Sequence, residues 1–323
     1  MSGTVLVAVD ASKQSLNAAA LAARLMSRQR DQRVVLVHCL SQELLSAMQK
    51  AVSSGVIEWQ EIEKRQVRMA EELLEKAQKF FEDLGVDRDR VELSVQKDAE
   101  SPARTLVRMA ESLGCHSLFL GRRGLSPMRR LLLGSTSDKV AQYAVGRTVW
   151  VVDAPLEEPR EVLVAVDYRE ESEAIIDYTA RFLAPVPGLR YTFLHLIPQI
   201  PPALWDDGRI LSSHEREERL VKVERWIEEC RRAVDGYFEK ARALLKEKGV
   251  PDDHVKTLAR PIREGIARDI VRWIREKQVD VAVLGKKSLG KGKPFLLGSH
   301  ANKILHHAGG AALCLVGHMP EEG

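Results

Sequence analysis

The stretch Val5-Leu-Val-Ala-Val-Asp10 occurs twice in this chain, the second time as Val162-Leu-Val-Ala-Val-Asp167. An unbroken apolar run closed by an acid reads as a strand buried on both faces, ending where the chain turns toward solvent. Self-similarity over so long a period marks a duplicated unit. The match extends outward from the strand. Ser15 answers to Ser172 and His38 to His195 in the same frame, at an offset of about 157 residues. Further along, Gly121 to Ser135 (GRRGLSPMRRLLLGS) answers to Gly285 to Ser299 (GKKSLGKGKPFLLGS), now about 164 residues away. The extra residues of the second copy fall in the Pro-rich stretch Pro198 to Ser213.

Each half alternates short β-branched runs with helical periodicity, which predicts βαβ units and a parallel sheet covered on both faces. Strands are expected at 5–9, 33–39, 91–96, 117–120 and 148–152, with helices at 12–30, 59–84, 102–113 and 135–143. Ser101-Pro102 reads as an N-cap followed by proline in the first turn. The second half repeats the order, with strands at 162–166, 191–197, 254–258, 279–284 and 311–316 and a long amphipathic helix through Leu220, Ile227, Val234 and Leu244. Asp153 to Pro159 is acidic and punctuated by proline, so it reads as the linker between a domain at 1–153 and one at 160–318.

Composition narrows the function. With 323 residues, 45% hydrophobic and 29% charged, the chain is ordinary globular protein. A net charge of +3 is too balanced for a protein whose task is to coat nucleic acid. The four cysteines, Cys39, Cys115, Cys230 and Cys314, form no CxxC pair, which fits a reducing compartment rather than a zinc or disulfide framework. No signal peptide or apolar span is legible at Met1 to Val9, so the expectation is a soluble cytoplasmic protein without membrane association.

The chemistry gathers at predicted strand ends, where open α/β sheets bind ligands. Asp10 ends the first strand. Gly121-Arg122-Arg123-Gly124 leaves the fourth, and glycine lets backbone amides approach an anion closely. Gly134-Ser135-Thr136 then opens a helix, whose unpaired amides and dipole favour a phosphate. Neither a Walker A nor a GxGxxG pattern is present. Taken singly, each glycine is ordinary βα punctuation and each serine an ordinary cap. The second half keeps Asp167, Gly285, Gly298 and Ser299 but has Ser288 for the second glycine and Arg169 where the first half has Ser12. Lys286, Lys287, Lys291 and Lys293, like Arg122, Arg123, Arg129 and Arg130, read either as a solvated loop or as anion attraction. His306-His307 with Cys314 lacks a completing carboxylate for metal, and His38 and His195 read as structural.

Both halves resemble the universal stress protein family, and the whole resembles its tandem form. The family pattern Gly-x2-Gly-x9-Gly-[Ser/Thr] is met by Gly121, Gly124, Gly134 and Ser135. The resemblance implies two Rossmann-like, five-stranded parallel sheets of order 3-2-1-4-5, related by a pseudo-two-fold with the fifth strands at the contact. It also implies an adenine nucleotide (ATP, ADP or AMP), accompanied or not by Mg2+. Asp10 and Cys39 would meet base and ribose, Cys39 through its backbone. Gly121, Arg122, Arg123, Gly124, Gly134, Ser135 and Thr136 would meet phosphates. Asp167, Leu196, Gly285, Ser288, Gly298 and Ser299 form a weaker second site. The implied role is a nucleotide-occupied stress sensor acting on an unidentified protein partner, with homodimerisation of the whole chain a further expectation. Two other readings stay open: a slow ATP hydrolase, and an assembly or chaperone-like module that needs no nucleotide.

Overall fold

The computed structural model describes residues 3–41, 59–99, 101–123, 133–167, 171–198, 212–286 and 297–317. Gly124, Arg129, Arg130, Arg169, Lys287, Ser288, Lys291, Lys293 and most of the Pro-rich stretch lie outside them.

In the first half, β1 (Gly3–Ala8), α1 (Lys13–Met26), β2 (Gln32–Ser41), α2 (Trp59–Asp83), β3 (Val91–Ala99), α3 (Pro102–Ser112), β4 (Cys115–Gly121), α4 (Ser135–Tyr143) and β5 (Thr148–Val152) follow one another. The second half repeats them as β6 (Glu161–Ala165), α5 (Glu171–Phe182), β7 (Arg190–Ile197), α6 (Ser213–Glu247), β8 (Val255–Pro261), α7 (Ile266–Glu276), β9 (Val281–Gly285), α8 (Ser299–His307) and β10 (Ala312–Val316). Helix α1 ends at Met26, short of the expected residue 30. Beyond it the Gln29 amide reaches across to the Arg181 carbonyl at 2.7 Å. Ser101 sits at the N-cap of α3, but its side chain makes no capping bond.

The two sheets are one. Strand order is β3-β2-β1-β4-β5-β10-β9-β6-β7-β8, so each half has order 3-2-1-4-5 and the halves join edge to edge. The two five-stranded halves of order 3-2-1-4-5 expected from the sequence are present, and their fifth strands, expected at the contact, pair to make one ten-stranded sheet. Every pairing is parallel except β5 with β10, where Val149, Trp150 and Val151 face Leu315, Cys314 and Leu313. Joining fifth strands removes two exposed edges, which would otherwise template further pairing.

Period-two alternation divides the apolar strands between two cores. Val5, Val7, Val34 and Leu36 face α1 and α2, while Leu6, Val35 and Val37 face α3 and α4. Both cores run without interruption into the second half. The pseudo-two-fold passes between Trp150 and Cys314, which occupy equivalent places in the two copies. A symmetric dimer of one half would set tryptophan against tryptophan there; duplication lets a small side chain oppose a large one.

A hydrogen-bonded chain also crosses the junction. Trp150 Nε1 donates to Tyr178 Oη at 2.8 Å, Tyr178 Oη lies 2.9 Å from Ser117 Oγ, and Ser117 Oγ lies 2.8 Å from His116 Nδ1. His116 Nε2 is 2.8 Å from Gln32 Oε1, and the ring stacks on Phe182 at 4.8 Å. With the indole donating to Tyr178, the chain is satisfied when Tyr178 donates to Ser117, Ser117 donates to His116 Nδ1 and His116 Nε2 donates to Gln32 Oε1. That assignment makes the ring neutral. Burial agrees, drawing its pKa down to about 4.

Candidate functional site

The first-half cavity opens at the carboxyl ends of β1, β2 and β4, with a volume of about 410 Å3. Its walls bring together Asp10, Cys39, Gly121, Arg123, Gly134, Ser135 and Thr136. These seven were singled out in sequence, and they come from four separate stretches of chain.

Local structure explains each placement. Ser12 caps α1 by accepting from the Ser15 amide at 3.2 Å. The Ser12 amide donates to Asp10 Oδ1 at 2.9 Å, and the Ser12 hydroxyl donates to the same oxygen. The Asp10 amide is in turn held by Ser15 Oγ at 3.0 Å, so the carboxylate sits in a fixed turn at the strand end. His38 Nδ1 donates to the Val9 carbonyl at 2.7 Å, a structural bond tying β2 to that turn. Beside it Cys39 keeps its proton, because burial raises its pKa to about 12.

Opposite lies the helix entrance. The Gly134 amide donates to the Arg122 carbonyl at 2.8 Å, closing the two ends of the glycine segment onto each other. As N-cap of α4, Gly134 offers no side chain to satisfy the first amides. Helix α1, by contrast, has the Ser12 hydroxyl accepting from one of its first amides. The open amides and dipole of α4 therefore face the cavity as a ready anion site.

Family models match this arrangement twice. The universal stress protein model covers residues 1–152 and again 159–313. A universal stress protein of Mycolicibacterium smegmatis is 30% identical over 312 residues, spanning 94% of each chain.

The chain belongs to the universal stress protein family.

Members of that family bind nucleotides. The fold agrees with a universal stress protein from Archaeoglobus fulgidus, at TM-score 0.61 and 14% identity over 98% of this chain and 99% of that one. A functionally unknown protein from Pseudomonas aeruginosa has TM-score 0.57 and 14% identity over 98% and 92% of the two chains.

The second half of this universal stress protein keeps a cavity of about 260 Å3. Asp167, Leu196, Gly285, Gly298 and Ser299 line it together with Lys286 and His300. Its turn repeats the first: the Asp167 amide is held by Ser172 Oγ at 2.8 Å, and His195 Nδ1 donates to the Val166 carbonyl at 3.1 Å. Ile266 and Ile270 stand where the first half has Pro102 and Leu106, and Ala301 where it has Ser137, so the second cavity keeps an apolar wall but lacks the Ser137 hydroxyl.

Arg122 departs from its expected place. Its guanidinium turns away from the phosphate side and donates to the carbonyls of Ala308, at 2.6 Å, and His306, at 2.9 Å, in the other half. The side chain is 5% exposed, and burial lowers its pKa while Asp153 opposes that. Arg123 stays at the cavity wall but is also paired with Asp153 Oδ1 at 2.9 Å. His306 does acquire a carboxylate, Asp138 of the first half at 3.5 Å. No group of three or more metal-ligating side chains forms among the described residues. No described helix is long and apolar enough to cross a membrane.

Several wall residues were missed in sequence. Pro102 and Leu106 form an apolar side of the first cavity from α3, and Ser137 donates to the Gly121 carbonyl at 2.6 Å. The four-residue spacing of Pro102 and Leu106 on one helix face was the available signal.

Proposed function

We propose that this universal stress protein holds an adenine nucleotide in its first-half cavity and acts as a nucleotide-responsive sensor that signals through a protein partner in the cytoplasm. The observation that carries the reading is the convergence of Asp10, Cys39, Gly134, Ser135 and Thr136 on one cavity of about 410 Å3. Its apolar wall suits a base, Asp10 suits ribose hydroxyls, and the amides at the start of α4 suit phosphate. The adenine preference itself comes from the family resemblance. Mg2+ would be held chiefly by the phosphates and water, because Asp10 is the one carboxylate among the described wall residues.

The same shortage of acids argues against fast hydrolysis. Activating a water needs a positioned base or a metal with its own ligands. His38 spends Nδ1 on the Val9 carbonyl, and Asp10 is engaged by Ser12. Steady-state turnover well below the ordinary enzymatic range, about 1 per second, is expected.

Weaker nucleotide binding is expected in the second cavity, which has a volume of about 260 Å3 and carries Ala301 in place of Ser137. Mass analysis of material released by denaturing the purified protein, followed by calorimetric titration with ATP, tests the whole reading. One strong site per chain, abolished by Gly134→Val and little changed by Gly298→Val, is expected. Absence of nucleotide in both experiments would favour the nucleotide-independent assembly module, and dominance of the Gly298 effect would reverse the ranking of the halves.

A further inference from the structure

Two cations cross the junction in opposite directions. Arg122, the residue after Gly121, donates to Ala308, the C-cap of α8. Lys286, the residue after Gly285, donates from Nζ to the carbonyl of Ala144 at 2.8 Å, and Ala144 is the C-cap of α4. Their backbones match as well. The Arg122 amide donates to Val152 at 2.7 Å and the Lys286 amide to Val316 at 2.8 Å, so both residues leave their strands in the same way. The pseudo-two-fold therefore relates the whole pair of contacts.

Helices α4 and α8 are the ones whose glycine-capped N-termini face the two cavities. Their C-terminal carbonyls are the unsatisfied, negative ends of those helices. We propose that each cavity is positioned from the opposite half, with Lys286 a positioning residue for the first-half nucleotide site and Arg122 its counterpart for the second. The proposal rests on the reading that the first cavity takes an adenine nucleotide.

The physical argument is one of rigidity. A nine-residue helix is about 13 Å long, too short to bend appreciably, so a shift of its last carbonyl is passed on to its first amides. Hydrogen bonds to the last carbonyl serve that purpose; the one from the Arg122 guanidinium is charge-assisted, and the one from the Lys286 amine is charge-assisted only while it is protonated. Asymmetry between the two anchors is built in. Arg122 has Asp153 beside it at 3.9 Å, whereas Gly317 occupies the equivalent place in the second half. A side chain there is excluded, since a Cβ on Gly317 would lie 2.5 Å from the Arg147 carbonyl oxygen. Desolvation with no such counter-charge draws the Lys286 pKa down to about 7.

Calorimetric titration of the full chain with ATP decides the matter, using Lys286→Met, Lys286→Gln and Lys286→Arg. Lys286→Met is expected to weaken ATP binding about tenfold and Lys286→Gln less, while Lys286→Arg, which supplies the group Arg122 uses, stays within about twofold of the wild type. Amide hydrogen exchange without ligand provides a second readout. Exchange at the first turn of α4 should be faster in the methionine and glutamine variants than in the wild type, with the arginine variant restored. Equal affinity and equal exchange across the series would overturn the proposal, as would the same loss in the arginine variant as in the methionine one. If the wild type binds no adenine nucleotide, the functional reading fails, and the exchange comparison still judges the positioning.

Discussion

Gly121 and Ser15 approach so closely that no side chain fits between them: a Cβ on Gly121 would lie 2.5 Å from the Ser15 amide nitrogen and 2.6 Å from the Gln14 carbonyl carbon. The first motif glycine thus seats the start of α1 against the end of β4. This packing role is separate from any closeness to phosphate. At the equivalent Gly285 a Cβ would meet the Ile175 side chain, its Cδ1 at 3.1 Å and its Cγ1 at 3.8 Å, and the end of that side chain can yield.

Gly121→Ala is therefore expected to destabilise the fold by about 1–3 kcal/mol, the usual cost of overpacking, and Gly285→Ala by clearly less. Urea denaturation of the two variants measures the difference. Equal losses would mean that the close approach of α1 relaxes at little cost.

The neutral state of His116 gives stability a definite dependence on pH. Its ordinary pKa of 6.5 falls to about 4 on burial. Above about pH 6.5 both folded and unfolded rings are neutral and nothing is lost. As pH falls below that value the unfolded chain takes up a proton that the folded chain refuses, until the folded ring protonates near pH 4. The loss totals on the order of 3 kcal/mol, about 1.4 kcal/mol per pH unit. Denaturation series at several pH values should show a shallower slope between pH 6.5 and 4 in His116→Gln than in the wild type.

Tyr178 joins the halves through one oxygen. Tyr178→Phe leaves the buried Trp150 indole N–H without its acceptor, a cost of about 1–3 kcal/mol. Chemical denaturation checks the loss of stability, and tryptophan fluorescence reports the changed surroundings of the indole in the folded state. An unchanged midpoint would show that a water replaces the phenol oxygen.

Thiol chemistry offers a test that leaves the fold alone. Burial pushes the Cys39 pKa to about 12 and that of Cys115 to about 11, and raises those of Cys230 and Cys314. Alkylation at pH 8 should be slow for all four in the native protein and complete after unfolding. Because Cys39 contributes its backbone rather than its thiol to the proposed site, Cys39→Ser should bind ATP with less than about threefold change, a shift under 1 kcal/mol.

The repeat made the two halves legible at once, because buried parallel strands are unbroken apolar runs whatever the tertiary context. Alternation of those runs with helical stretches fixed the element order, and nearly every expected strand appears within two residues of its place. The wall formed by Asp10, Gly134, Ser135 and Thr136 was also legible, since strand-end acids and glycine-opened helices announce themselves locally. Arg122 was misplaced for a reason the linear sequence conceals: its partners, Ala308 and His306, lie in the other copy.

By itself, then, the amino-acid sequence determined what depends on neighbours along the chain: the duplication, the βα order, the turn that holds Asp10, and the glycine that leaves the first amides of α4 open. Tertiary structure decided what depends on the meeting of the halves. Fusion into one sheet follows from β5 and β10 pairing antiparallel, with Trp150 opposite Cys314 at the centre of the pairing. The burial that neutralises His116, and the crossing of Arg122 and Lys286 to opposite helix ends, exist only after that docking, because desolvation and long-range hydrogen bonds are properties of the assembled interior and of no local segment.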